Sequence, residues 1–128
     1  MADSSFDMDL SEFKGLSASL GRATAAMVAA ERAVVAKALV NIKEDTRKGV
    51  STHPTWSRLA QTVSYDQFGL TGEVGYEDRG QGELAGIAEF GSARHAPNPA
   101  LLPAARNEAP RFEKATAEAI AKAIESAL

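Results

Sequence analysis

A helical pattern from about residue 10 to residue 48 constrains the fold of this chain more than any other feature. Val28, Val35 and Leu39 recur at helical spacing, and polar residues lie between them. The pattern therefore predicts a long amino-terminal helix.

Glycine positions predict where this helix is interrupted and where it ends. Gly15 and Gly21 weaken its early part, because glycine costs about 1 kcal/mol relative to alanine inside a helix. We therefore expect a break or a short first helix before Thr24, followed by one firm helix to Lys48. Gly49 follows a basic last turn and is a natural residue to end the helix.

From residue 59 to residue 65, the repeat of side-chain types shortens from the helical spacing to two residues. The threonine, valine and tyrosine content of this stretch favours a strand. Residues 68–72 supply turn chemistry, and residues 73–77 read as a second strand. Two strands joined this closely are expected to pair as an antiparallel hairpin.

The remaining patterns complete an α+β fold. Residues 83–90 predict a short helix that ends at Gly91, residues 92–99 a proline-bearing loop, and residues 100–128 a last helix. Pro110 indicates either a kink in this helix or the start of a second one. The predicted fold class is α+β, with a long N-terminal helix, a small antiparallel sheet built on a β-hairpin, a short helix and a C-terminal helix.

Length and composition fit a single domain over residues 1–128 of a globular protein. We expect residues 1–9 to be flexible or to become ordered only on assembly. The chain has no cysteine, which excludes disulfides, thiolate catalysis and cysteine–metal sites. Abundant alanine with few aromatic residues favours a modest helical core and an interface that supplies further burial.

Charge and hydropathy bear on the partners of the chain. The net charge of −3 disfavours a nucleic-acid binder, which usually carries a clustered basic surface. We interpret the basic residues of the first helix as its solvated end, diluted by two carboxylates; they are Lys37, Lys43, Arg47 and Lys48, with Glu44 and Asp45. The polar, acidic start does not resemble a signal peptide, and no apolar stretch is long enough to span a membrane.

No residue pattern indicates catalysis, a cofactor or a metal. His53 and His95 lie far apart in sequence and are interpreted as exposed loop residues, because a metal site would need convergent ligands. Ser92 lacks the context of a nucleophile elbow. Acidic residues around the second strand are interpreted as a solvated edge; they are Glu73, Glu77, Asp78 and Glu83. We therefore expect no enzymatic activity and no cofactor.

The most specific motif occupies residues 89–104. It begins with Glu89-Phe90-Gly91-Ser92 and continues, after a short loop, as Pro97-x-Pro99-Ala-Leu-Leu-Pro103-Ala104. At these positions the chain resembles the phage tail-component family, the gene-product-10-like neck or tail-completion proteins of long-tailed phages. That family has an aromatic residue where this chain has Ala100, and we expect Phe90 or Leu101 to fill the space.

The resemblance implies a structural role in a virion, assembled in the host cytoplasm. It implies a homo-oligomeric ring, with six copies suggested by tail symmetry, that joins the head connector to the tail tube. Its partners would be further copies of the chain, connector or head-completion proteins, and tail-tube or tail-terminator proteins. DNA would pass through the ring without sequence-specific binding. We take the motif and a nearby tryptophan as candidate interface residues: Glu89, Phe90, Gly91, Arg94, Pro97, Pro99, Leu101, Leu102, Pro103 and Trp56.

Three alternatives remain open at this stage. A tail terminator that caps the tail tube is the nearest to the neck role. A small cytoplasmic binding module is a different class. A small hydrolase using Ser92, His95 or the acidic loop is the third.

Overall fold

A computed structural model describes residues 10–128. The elements are α1 (Leu10–Ser51), a first 3-10 helix (Ser57–Thr62), β1 (Val63–Phe68), β2 (Thr71–Tyr76), a second 3-10 helix (Gly80–Leu84), α2 (Ala85–Phe90) and α3 (Leu101–Ala127). This order confirms the predicted α+β fold class. The expectation for residues 1–9 lies outside the described residues.

α1 is one continuous helix of 42 residues, so the predicted break before Thr24 is wrong. A Cβ atom at Gly15 or Gly21 would meet no neighbour within 4 Å. These glycines therefore lower helix propensity without forcing another conformation, and the flanking residues sustain the helix.

The predicted helix end at Gly49 is also wrong, because α1 continues to Ser51. A Cβ at Gly49 would lie 2.9 Å from the Cβ of Ala100. Glycine at this position therefore allows the start of α3 to approach α1 closely.

α3 runs antiparallel to α1. Near its end, α1 lies beside the start of α3, where Gly49 approaches Ala100. Further along α3, the Asn41 amide donates to the Glu108 carboxylate at 2.9 Å, and the Thr116 hydroxyl donates to Glu31 at 2.9 Å. Pro110 lies inside this single helix, so no second helix restarts there.

The predicted hairpin is present, with different strand limits. β1 and β2 pair antiparallel from Val63 opposite Tyr76 to Phe68 opposite Thr71. Gly69 turns the chain with φ of 65°. The hairpin packs against α1, where the Arg47 guanidinium donates to the backbone oxygen of Val63 at 2.9 Å.

Residues 59–62 form part of a 3-10 helix, so the strand predicted to begin at Leu59 is wrong there. Trp56, Leu59 and Thr62 are all buried and lie three residues apart. That spacing places them on one face of a 3-10 helix, and the Thr62 hydroxyl donates to the backbone oxygen of Leu59 at 2.9 Å. Burial of every third residue thus favours the 3-10 helix over the strand that the alternating pattern predicts.

The main core lies where the end of α1 meets the start of α3. Val50, Trp56, Leu59, Ala88 and Ala100 form this cluster of buried residues. Within residues 10–128, no helix has the length and apolar character needed to cross a membrane.

Candidate functional site

The acidic residue of the sequence motif holds the first turn of α3. The Glu89 side chain is only 6% exposed. Its carboxylate accepts backbone N–H groups of Ala100 and Leu101 at 3.0 Å each and of Leu102 at 3.2 Å. The first amides of a helix have no partner inside that helix, and a negative charge there is favourable. Glu89 therefore caps α3 from α2, although Ala100 offers no side-chain cap of its own.

A glycine-dependent reversal brings Glu89 back to α3. Gly91 ends α2, as predicted, with φ of 82° and ψ of 174°, a conformation essentially restricted to glycine. Its N–H donates to the oxygen of Ile87 at 2.7 Å, and the Asn98 N–H donates to the oxygen of Ala88 at 2.7 Å. Residues 91–98 therefore form a closed loop tied at both ends to α2.

The two histidines, which we expected to be separate exposed loop residues, converge on Trp56. The ring of His53 stacks at a centroid distance of 6.3 Å, and the ring of His95 approaches edge-on at 5.4 Å. His53 is half-buried, and its Nδ1 accepts the backbone N–H groups of Thr55 at 3.1 Å and Trp56 at 3.2 Å. The His53 part of the expectation is therefore wrong, whereas His95 is exposed.

The hydroxyl of Ser92 also serves the loop. It accepts backbone N–H groups of Arg94 and His95 at 3.3 Å each. These backbone contacts stabilise the turn, whereas the imidazole of His95 contacts the ring of Trp56.

Ala100 packs without help from Phe90. Phe90 is 71% exposed, so the expectation that it fills the space of the missing aromatic ring is wrong. Trp56 belongs to the same core cluster as Ala100, and Leu101 is half-buried. The large ring of Trp56 thus lies in the same buried cluster as the small side chain of Ala100.

The candidate interface residues divide into three groups by their exposure. The side chains of Glu89 and Trp56 are buried within their own chain, so they can position surface residues but cannot themselves contact another subunit. The exposed members are Phe90, Arg94, Pro97, Pro99 and Leu102, and the half-buried ones are Gly91, Leu101 and Pro103. Their assignment to a subunit interface stays a prediction.

Charged residues of the predicted helix end and acidic edge have local partners. Lys43 Nζ lies 5.4 Å from the centre of the Tyr65 ring, a cation–π contact. Arg79 pairs with Glu77, and this hydrogen-bonded pairing lowers the pKa of the exposed Glu77 carboxyl.

Sequence reasoning missed an apolar stripe at the start of α1. Leu10, Phe13, Leu16 and Leu20 are all strongly exposed. Every residue in the range 10–22 is exposed except Ser19, which is half-buried. We call residues 10–22 the overhang, because burial of α1 against the rest of the chain begins at Ala23. The spacing of three, three and four residues is typical of one face of a helix. The break expected at Gly15 and Gly21 divides this stripe between two segments, so the sequence alone did not indicate a continuous face.

Sequence reasoning also missed an apolar groove of about 770 Å³ between α1 and α3. We call it the alanine groove. Its walls are mostly small residues: Ala26, Ala29, Ala30, Ala33, Ala115 and Ala119. Asn41 and the buried Glu108 close one end, where Arg111 pairs with Glu108 at 2.9 Å.

Residues 10–128 contain no group of three or more histidine, cysteine or acidic residues placed to hold a metal ion. Comparison of the chain with protein-family models, characterised proteins and solved structures finds no match.

Proposed function

We propose that this chain is a structural protein of a phage virion, located in the neck between head and tail. The observation that carries the proposal is the geometry of residues 89–104. The residues that resemble the phage family form one unit, in which the Glu89 carboxylate binds the amides that open α3. A motif used to shape a surface suits an assembly protein better than an enzyme.

In this role several copies form a ring through which DNA passes, and the symmetry of tails suggests six. Each subunit presents one surface to one neighbour and a different surface to the other, a contact that closes by rotation. Phe90 and Leu102 are exposed apolar residues next to the capped start of α3. They are suited to contacts with a neighbouring copy, the head connector or the tail tube.

The acidic balance of the chain suits a DNA passage. A net charge of −3 favours a repelling inner wall, which lets DNA move without adhering. A cryo-EM reconstruction of the neck tests this part of the proposal. A basic inner wall would contradict it.

The neck role is tested by removing the gene from the phage that encodes the chain. We expect DNA-filled heads and complete but unattached tails, visible by electron microscopy. Adding the purified chain to such an extract should restore joined particles. Tails of uncontrolled length would instead indicate the tail-terminator role, and normal particles would contradict both.

A further inference from the structure

The overhang carries an apolar face that no other part of residues 10–128 covers. Leu10, Phe13, Leu16 and Leu20 are 65%, 55%, 48% and 55% exposed. Residues three and four apart lie on the same side of a helix. Single exposed apolar residues are normal, but a row of four large ones indicates an interaction site.

This face continues the surface of α1 on which α3 lies. Eighteen residues make about five helical turns, so Leu16 and Leu20 lie in line with Val34 and Ala38. Val34 and Ala38 line the alanine groove together with residues of α3. Because α1 is unbroken from Leu10 to Ser51, the overhang cannot fold back onto its own groove. No segment of residues 10–128 therefore covers this face, and a second copy of the chain can supply the cover.

The alanine groove has the dimensions to receive such a helix. It extends along α1 from Ala26 to Asn41, which is about 22 Å, whereas the stripe from Leu10 to Leu20 is about 15 Å long. Walls of alanine let a second helix approach closely, with large side chains projecting into the space between α1 and α3. One copy therefore offers the large residues and another the small ones.

Charge favours the same pairing. Lys37 and Lys122 line the groove. Arg111 also lines it and pairs both with Glu108, the only acidic lining residue, and with Asp45. Residues 1–22 carry more acidic than basic side chains, with Asp3, Asp7, Asp9 and Glu12 against Lys14 and Arg22. Opposite charges steer two such surfaces together.

We propose that the apolar stripe of the overhang docks in the alanine groove of a second copy of this chain. The two surfaces differ, so a bound pair still has a free groove on one copy and a free stripe on the other. Such a heterologous contact extends from copy to copy and closes as a ring when the rotation permits. The ring rests on the proposed function, whereas the contact itself rests on the two surfaces.

Cross-linking tests the contact directly, because the natural chain has no cysteine. Leu16→Cys and Ala33→Cys chains are mixed and treated with a short bis-maleimide. We expect covalent dimers that contain one chain of each kind, and a ladder of larger species from a chain carrying both substitutions. Ala18→Cys, in the same helix on the opposite face, is the matched control and should yield little product with Ala33→Cys.

Disruption of each surface tests whether the contact is head-to-tail. The stripe variant is Leu16→Asp/Leu20→Asp, and the groove variant is Ala29→Glu/Ala33→Glu. All four residues are exposed, so circular dichroism should show folded chains. Each variant should weaken self-association at least about tenfold in analytical ultracentrifugation. Ala18→Asp and Ala117→Glu, at exposed sites outside the two surfaces, should not.

Mixing the two variants gives the sharpest result. The groove variant still has its stripe and the stripe variant still has its groove, so we expect a one-to-one dimer that does not grow further. Association of the groove variant as strong as that of the natural chain would overturn the proposal in favour of stripe-on-stripe pairing. Absence of both cross-links and association at millimolar concentration would overturn self-association altogether.

The outcomes also separate this contact from the neck role. If the stripe variant still joins heads to tails in extracts and self-associates as strongly as the natural chain, the contact is wrong and the neck role stands. If cross-linking and mixing succeed but loss of the gene leaves normal particles, the contact stands and the neck role fails.

Discussion

At the scale of single residues, the carboxylate of Glu89 joins two elements that the sequence places apart. The resemblance identified its neighbourhood, yet an acidic residue before an aromatic one did not reveal a cap on a helix that begins twelve residues later. That role depends on the reversal at Gly91, which returns the chain to α2 through the Asn98 bond to Ala88. Such a contact is set by tertiary structure, so spacing alone could not predict it.

Replacing Glu89 should destabilise the fold. Glu89→Ala leaves three backbone amides without their acceptor, and we expect a loss of about 2–4 kcal/mol in the free energy of unfolding. Glu89→Gln keeps one acceptor oxygen without the charge and should lose less. Urea denaturation measures both, with the exposed Glu118→Ala as control. An unchanged unfolding midpoint for Glu89→Ala would argue against the cap.

Alanine at Gly91 should also be costly. Its Cβ would lie 2.9 Å from Cδ of Pro97, in a backbone conformation that side chains rarely adopt. We expect a loss of about 1–3 kcal/mol in thermal or urea unfolding. Gly86→Ala is the control, because a Cβ there meets nothing within 4 Å inside α2 and should be neutral or slightly stabilising. Equal effects of the two substitutions would contradict this account.

Tyr76 should make stability depend on alkaline pH. Burial, with a smaller contribution from the charge of Glu89, raises the pKa of its phenol to about 12 from 10.0. The folded state thus binds this proton more tightly, so its contribution is complete below pH 10 and is lost as pH rises toward 12. The unfolding free energy of Tyr76→Phe should fall less over this range. Absorbance titration of tyrosinate should lose its late component in the same variant.

At the scale of elements, the helices were predictable and their limits less so. Apolar residues at helical spacing revealed α1 and α3, because long amphipathic patterns survive most local exceptions. Gly15 and Gly21 do not interrupt α1, since their cost is a lower helix propensity and not a steric block. Residues 59–62 alternate as in a strand, whereas the spacing of three that sets their structure depends on the burial of Trp56, Leu59 and Thr62. The sequence alone does not show that burial.

Glycines of α1 should respond to alanine in opposite directions. Gly15→Ala and Gly21→Ala should each strengthen the overhang by up to about 1 kcal/mol, because nothing obstructs the new methyl group. Hydrogen exchange of amides 12–22 should slow. Gly49→Ala should instead lower the unfolding midpoint, since its methyl group would lie 2.9 Å from that of Ala100. Faster exchange in the overhang variants would contradict the continuous helix.

At the scale of the whole molecule, the order of elements could be predicted, but the surfaces could not. A sequence shows which residues are apolar along a helix, whereas exposure depends on where the neighbouring helix stops. α3 leaves residues 10–22 uncovered, and its alanines leave an open groove beside α1. Both features follow from the relative lengths and packing of two helices that are distant in sequence.

Removing residues 1–20 should therefore spare the fold and abolish self-association. The described part of this segment contributes no buried side chain, so the thermal midpoint should change by no more than about 3 °C. Sedimentation at high concentration should then show only monomer. A large loss of stability would mean that the overhang belongs to the core, contrary to its exposure.

The unbroken course of α1 also has a mechanical consequence. The overhang is a lever arm of about 20 Å with its root at Ala23, and the unbroken helix connects it to the core at Val50. A tilt of about 5° at the root would move Leu10 by about 2 Å. A load on the tip would therefore be transmitted along the helix axis to its far end, and a shift of core packing there would re-aim the tip.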